Sequence, residues 1–350
     1  MNNRFRSVSL DIKQPLFNKI SDSYLREEKP TRKSVTAASG ASAASVGKFM
    51  SALVECKLAY EVSRPQKGGG RACLHQTLCD ELITLVIDLS SSRFSAAVFD
   101  NRFQCTQFES HSYDSALPFN DNLLMLLSRT KENARLRHYR PCVVAVILAE
   151  PRIAQVSFGG LPVSSFLPTQ EDKPVIDALI KKLFGITPEL YCDVTEAISD
   201  AVKYRALQEL GDIGRIAYVH IGTQMFALGL GESESPLICR LSNLLTDGDR
   251  CATELYSEAI SARELDSLVL RAVNLMSCVT ESDAFVIETE PMRFNTDMTR
   301  AVKKAFALTG GVMPLLITRR STPSVASFGA AKAAIARLIC SHLLSDKDRF

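Results

Sequence analysis

Ser42, Ala43 and Ser45 place three short side chains at the start of an apolar-striped segment, and Lys48 follows about one turn later. The stripe is Val46, Phe49, Met50, Leu53 and Val54, which repeat at helical intervals. A helix of this kind fits the major groove of DNA, and short side chains at its start let the backbone approach base edges. Lys48 then reaches phosphate, and Arg32, in the preceding segment, joins the set as a basic contact. Further on, Arg64, Lys67 and Arg71 surround the run Gly68-Gly69-Gly70. Glycines let a turn lie close to a sugar-phosphate backbone, and the three cations supply charge.

Metal chemistry has no comparable pattern. The ten cysteines (56, 73, 79, 105, 142, 192, 239, 251, 278 and 340) contain no CxxC pair. They read as reduced thiols serving as small core hydrophobes. The five histidines form no HxxxH or HExxH.

Short elements must hold the DNA-type residues in place. Asn18 to Glu28 reads as a helix that Pro30 closes. Thr31 then caps a helix from Arg32 to about Ser39, Gly40 breaks it, and Ser42 caps the next. Two short helices around a glycine turn make a helix-turn-helix. Ala59 to Ser63 and Cys73 to His75 read as two strands joined by the basic turn, the wing of a winged helix. Residues 1–80 carry 13 Lys and Arg against 7 Asp and Glu, while the other 270 carry 28 against 32. A small basic module joined to a larger, mildly acidic one fits a polyanion binder tethered to a second body.

That second body reads as a duplicated α/β fold. Strands at Leu82–Asp88, Phe94–Phe99 and Phe103–Glu109 precede a helix at Asn120–Lys131 and a buried strand at Cys142–Leu148. Helix Asp177–Phe184, strand Glu189–Tyr191 and helix Thr195–Leu210 complete the first half. The pattern restarts with strands at Ile216–Ile221, Met225–Leu230 and Leu237–Arg240. Helices around Cys251–Ala259 and Arg263–Met276, strand Ala284–Ile287, helix Thr296–Ala307, strand Leu315–Ile317 and helix Val325–Leu344 follow. With 350 residues, 46% apolar and 23% charged, the chain is long enough for two or three domains and balanced like a globular protein. Its apolar run Val143–Ala149 is too short to span a bilayer, and the start of the chain lacks the apolar core of a secretory signal. These readings point to a cytoplasmic protein with no membrane insertion.

Residues 31–59, TRKSVTAASGASAASVGKFMSALVECKLA, resemble without a gap the winged helix of the ROK family (repressors, open reading frames and sugar kinases). Val35 takes the apolar place in the first helix, Gly40 the turn, and Leu58 leads into the wing. GGGRACLH is similar to the family's Gly-Arg-Pro wing ending, with Ala72 in place of proline; Lys57 stands where glycine is usual. Residues 82–344 resemble the ROK branch of the actin–hexokinase ATPase fold, in the manner of the N-acetylglucosamine- and glucose-type repressors. In the kinases the first hairpin reads Asp-Ile-Gly-Gly-Thr-Lys; here it is Asp88-Leu89-Ser90-Ser91-Ser92-Arg93. Gly222-Thr223 is followed by Gln224 rather than glycine, and Asp193, the match to the catalytic base, follows Cys192 rather than asparagine. Glu288-Thr289-Glu290 replaces the double glycine of the adenosine site, and only Cys239 and Cys251 remain where the family builds its zinc site.

The resemblance implies an N-terminal winged helix-turn-helix over residues 1–80 and a two-lobed ROK-like effector and oligomerisation domain over 81–350. It implies a DNA-binding transcriptional regulator, a repressor of sugar-metabolism genes, acting on a double-stranded operator as a homodimer or homotetramer. The long C-terminal helix is expected to supply the symmetry. Gly159, Gly160, Asp193, Gly222 and Thr223 are expected to line a cleft for a sugar or sugar phosphate, with a protein partner as a further ligand. Asp193 reads equally as a helix-capping carboxylate. No catalytic residue beyond the vestigial Asp193, no metal and no cofactor are expected. An ATP-dependent sugar kinase carrying an added DNA-binding domain is the alternative.

Overall fold

Each expected cap forms where its residue type demands. The computed structural model describes residues 10–64, 73–91, 93–133, 141–150, 157–158, 161–162, 167–205, 213, 215–221, 225–230, 237–240, 246–247, 250–251, 270–277, 282–289, 315–320 and 322–345. Helix α1 (Leu10–Arg26) starts N-terminal to the expected Asn18. Thr31 caps α2 (Arg32–Ser39): its Oγ1 accepts from Ser34 N at 3.0 Å, and Thr31 N donates back to Ser34 Oγ at 3.1 Å. Gly40 ends α2 with φ 62°, a left-handed conformation that costs glycine nothing. Ser42 Oγ accepts from Ser45 N at 3.1 Å and starts α3 (Ala43–Glu55). Phe17, Ile20, Tyr24, Val35, Val46, Phe49, Met50 and Leu53 close the core of this three-helix unit. Strands β1 (Ala59–Arg64) and β2 (Cys73–Leu78) pair antiparallel in one unbroken register from Ala59–Leu78 to Arg64–Cys73.

Two five-stranded sheets follow with the same topology. The first contains β3 (Thr84–Asp88), β4 (Arg93–Phe99), β5 (Cys105–Ser112), β6 (Val143–Leu148) and β9 (Leu190–Asp193), in the order β5-β4-β3-β6-β9. The second contains β10 (Ile216–Ile221), β11 (Met225–Leu230), β12 (Leu237–Arg240), β15 (Ala284–Thr289) and β16 (Leu315–Arg320), in the order β12-β11-β10-β15-β16. In each sheet an antiparallel meander adjoins two parallel strands. The duplication read from the sequence is therefore present strand for strand. Short hairpins β7–β8 (Ser157–Phe158, Leu161–Pro162) and β13–β14 (Thr246–Asp247, Arg250–Cys251) lie outside the sheets. β3 and β6 are buried at every position, which is why they read as continuous apolar runs.

Helices α4 (Phe119–Glu132) and α5 (Lys173–Phe184) cover one face of the first sheet. Helices α6 (Val194–Lys203) and α7 (Val325–Ser345) cover the other. Some boundaries differ from expectation. β15 continues through Glu288 to Thr289, and Cys251 lies in β14 rather than opening a helix. Between β14 and β15 the described residues are helical at 270–277, and the rest of the helices expected there, like the helix expected at 296–307, lies outside the described residues.

The C-terminal helix α7 packs inside the chain: it crosses from the second lobe to the first, and most of its described side chains are buried. A helix apolar all round belongs in a core. Its closest approach is to α6. A Cβ at Gly329 would stand 1.8 Å from Ala197 O and 2.5 Å from Ala201 N, so no side chain fits there. Three residues on, Lys332 Nζ donates to Tyr204 O at 2.8 Å and to Leu25 O at 3.2 Å, capping the C-terminal ends of α6 and α1 together. Its ammonium also lies 5.2 Å from the Phe103 ring centre.

Two outcomes follow. Gly329→Ala should destabilise the protein by about 3 kcal/mol or more, because the clash is with backbone; urea unfolding measures it. Lys332 is mostly buried, and desolvation alone pulls its pKa to about 8. The unfolded lysine keeps its proton to about pH 10.4, so between those values the unfolded chain holds more protons and stability rises with pH. Below pH 8 the full cost of burying the charge is present. Between pH 7.5 and 10 the wild type should gain on the order of 2–3 kcal/mol relative to Lys332→Met; parallel melts across that range check it.

Candidate functional site

The two sheets bring Asp88, at the end of β3, and Glu288, near the end of β15, to one interlobe cleft. Both are buried. Asp88 Oδ1 accepts from Ser90 N at 3.0 Å and Ser90 Oγ at 2.6 Å; Oδ2 accepts from Ser324 Oγ at 3.1 Å. Glu288 Oε1 accepts from Val325 N, the first amide of α7, at 2.8 Å. Glu288 Oε2 accepts a short hydrogen bond from Tyr218 OH and lies 3.8 Å from His220 Nδ1. Tyr218 and His220 come from β10, and His220 stacks on Phe226 of β11 at 5.1 Å between ring centres. The parallel pairing of β10 with β15 sets His220 directly beside Glu288.

Burial pushes the Asp88 carboxyl above its ordinary range. The serine hydrogen bonds oppose that shift and the nearby Glu288 charge adds to it. Burial, and then the Glu288 charge, push the Tyr218 phenol well above its ordinary value. Together these groups leave a cavity of ≈ 60 Å³. Ligand sites commonly enclose about 300–1,000 Å³. The donors at the start of α7, where a phosphate would be welcome, are taken by the chain's own carboxylates. Glu288 was expected just after the strand, where the resemblance places a nucleotide; it is instead an internal acceptor within the strand.

Asp193 is not part of this cluster. It caps α6, its Oδ1 accepting from Thr195 N at 2.8 Å and Glu196 N at 2.9 Å, while Asp193 N donates to Glu196 Oε2 at 3.1 Å. It lines a different, wider groove of ≈ 970 Å³ between α1, α6 and α7; its neighbour Val194 reaches the interlobe cavity. Gly159, Gly160, Gly222 and Thr223 lie outside the described residues, as do Lys67 and Arg71. Arg64 ends β1, its backbone paired with Cys73. Ser42, Ala43 and Lys48 are exposed on the N-terminal half of α3, and Ser45 is half-buried. Arg32 is exposed, with Nη1 3.8 Å from the Cβ position of Gly47, so its guanidinium lies beside α3.

Sequence reasoning missed Tyr218, Ser324 and Lys332. A tyrosine in an apolar strand facing a glutamate in its parallel neighbour was the available signal, but it needs the strand pairing to be seen. Among the described residues no group of three or more His, Cys, Asp or Glu could hold a metal ion, and Cys79, Cys105, Cys142, Cys192, Cys239 and Cys340 form no disulfide. No helix among those residues is long and apolar enough to cross a membrane.

Because the folded pKa of Asp88 is raised, its contribution to stability is fully present below the unfolded pKa and is lost as pH rises through the folded one. Asp88→Asn should therefore raise the melting temperature at pH 7, and the gain should shrink toward pH 4. Calorimetry at both pH values tests this; an equal gain at each would show that the carboxyl is not strained by burial.

No protein-family profile matches the sequence, and a search of curated proteins finds no match. Solved structures do resemble the fold. One is a ROK family transcriptional regulator described as a homologue of the E. coli MLC protein: 15% identity, TM-score 0.59, covering 96% of this chain and 98% of that one. Others are a ROK family protein from Streptococcus pneumoniae TIGR4 in complex with sucrose (14%, TM-score 0.43, 72% and 98%) and a ROK family glucokinase from Streptomyces griseus in complex with glucose and AMPPNP (11%, TM-score 0.44, 72% and 99%). The chain thus shares, over nearly its whole length, the fold of a ROK family transcriptional regulator.

Proposed function

We propose that this protein is a DNA-binding transcriptional regulator whose α/β body responds to a ligand and transfers no phosphoryl group. The observation that carries the reading is the outward face of α3, with Ser42, Ala43 and Lys48 exposed beside the Arg32 guanidinium. Short side chains at a helix start, flanked by cations, match what a major groove requires. The β1–β2 hairpin follows as a wing, with a domain boundary near residue 80. Fold likeness to a transcriptional regulator along the full chain supports the same reading.

The cleft supports the absence of catalysis. Phosphoryl transfer depends on positioning metal and phosphates. Here Glu288 and Asp88 already occupy the donors, and both carboxylates would repel a nucleotide. With the resemblance noted above, the reading extends to repression of sugar-metabolism genes and a sugar or sugar-phosphate effector, with a protein partner as a further ligand. It also extends to a cytoplasmic homodimer or homotetramer on a pseudo-palindromic operator, since two-fold symmetry doubles the contact of a small DNA-reading unit.

Selection of bound duplexes from a random DNA pool, followed by anisotropy titration across salt, tests the reading. Lys48→Ala should weaken binding across sequences and lower the salt slope by roughly one counterion. An unchanged slope removes Lys48 from the interface. Sugar-dependent ATP turnover by the purified protein, absent in Asp193→Asn, would instead make it a kinase.

A further inference from the structure

The first sheet ends at β5, and among the described residues no strand lies on its outer side. The bonding phase of the sheet tells which of its backbone groups are open. Leu89 N donates to Ile147 O at 2.9 Å, so the odd residues of β3 turn toward β6, and Thr84, Val86 and Asp88 turn toward β4. Their partners Phe99, Ala97 and Ser95 face back to β3, which leaves Phe94, Ala96 and Val98 facing β5. Opposite these, His111, Glu109 and Gln107 turn their N–H and C=O groups to β4. Phe108, Ser110 and Ser112 therefore turn theirs outward, where no described group bonds them. Natural sheet edges are shielded by lysine, proline, a bulge or a covering element. β5 reads Cys-Thr-Gln-Phe-Glu-Ser-His-Ser, with neither Lys nor Pro, and its bulge at Thr106 lies before the open part. Ser112 is exposed, and Phe108 to His111 are half-buried.

We propose that β5 pairs antiparallel with β5 of a second copy of this chain, about a two-fold axis at Ser110, joining the two first-lobe sheets into one. The strand is self-complementary in that register. Phe108 and Ser112 of the partner subunit form hydrogen-bonded pairs, and Glu109 stands opposite the partner's His111 in the closer, non-bonded pairs, twice over by symmetry. His111 Nε2 lies 3.1 Å from Asn122 Oδ1, an oxygen that also accepts from Asp114 N, so Nε2 donates and Nδ1 is left to meet the partner's Glu109 as an imidazolium. Moving the axis to Glu109 would set the two glutamates against each other, and moving it to His111 the two histidines; like charges directly opposite destabilise a sheet. On the other face the Arg93 guanidinium, which donates to Ser110 Oγ at 2.8 Å, comes near its counterpart across the axis, a repulsion that the backbone bonds and the Glu109–His111 pairs oppose. Phe108 and Ser110 also line the interlobe cleft, so the partner strand borders that cleft. The proposal gives the homodimer of the regulator reading an interface, and rests on that reading only for the existence of a dimer.

The test is analytical ultracentrifugation of the full chain at pH 6, without DNA. The wild type should dimerise at micromolar concentration. Glu109→Lys and His111→Glu should each weaken self-association about tenfold or more, by placing like charges opposite each other. The double variant carrying both substitutions restores opposite charges and should recover most of the lost affinity, which a folding defect would not. Ser112→Pro removes an outward N–H at an exposed position and leaves the bonds to β4 intact, so it too should weaken the dimer while the chain stays folded. A wild-type monomer, a dimer whose affinity is unchanged in Glu109→Lys or Ser112→Pro, or no recovery in the double variant would overturn the proposal. Duplex binding measured in parallel separates the two failures. A dimer held elsewhere that still binds DNA defeats only this interface; a β5-paired dimer that binds no DNA defeats only the regulator reading.

Discussion

The close approach of α7 to α6 at Gly329 is the constraint on which the rest depends. With no side chain there, the backbone of α7 lies against Ala197 and Ala201 of α6. The alanines of α7 continue that fit: Ala326, Ala330, Ala331, Ala333 and Ala334 are all buried. Small residues give up apolar area per residue but let backbones meet, and close packing transmits displacement. A helix held this tightly moves as a unit with what it touches.

What it touches spans the molecule. The first amide of α7 binds Glu288 of the second lobe, and Ser324, just before it, binds Asp88 of the first. Two turns later Lys332 binds the ends of α1 and α6. Beside it, Tyr204 OH donates to Asp22 of α1 at 2.7 Å, and Lys203 pairs with the same carboxylate at 2.8 Å. One rigid element thus joins the interlobe cleft to the N-terminal unit. A displacement of α7 along its axis would strain bonds at both ends together, so the interlobe cleft and the N-terminal unit are mechanically linked through one closely packed helix.

Local chemistry was legible in the sequence because it is local. Thr31, Gly40 and Ser42 announce their caps within four residues, and the apolar runs of β3 and β6 announce buried parallel strands. The duplicated sheet order followed from the repeated succession of elements. The candidate site was less legible because its bonds are long-range. Ser324 is 236 residues from Asp88, and no spacing rule joins them. Glu288 looked like a strand-end charge because glutamate is rarely buried without partners, and its partners, Tyr218 and Val325, are visible only after β10 pairs with β15.

The cleft differs from a nucleotide site in what its donors already hold. A phosphate-binding helix start keeps its amides open for an incoming anion. At α7 the Val325 amide and the Ser324 hydroxyl are engaged by Glu288 and Asp88, and Tyr218 OH closes on the same glutamate. An entering anion would have to displace a paired internal carboxylate, exchanging one set of charge-assisted bonds for another with little net gain. It would also leave two buried carboxylates beside it in a medium where like charges repel strongly. Burial raises the Asp88 pKa, and its protonation would relieve that repulsion without any anion entering. The donors that a phosphate would need are thus held by the chain's own acids, unlike those of a site left open for the phosphates of a substrate.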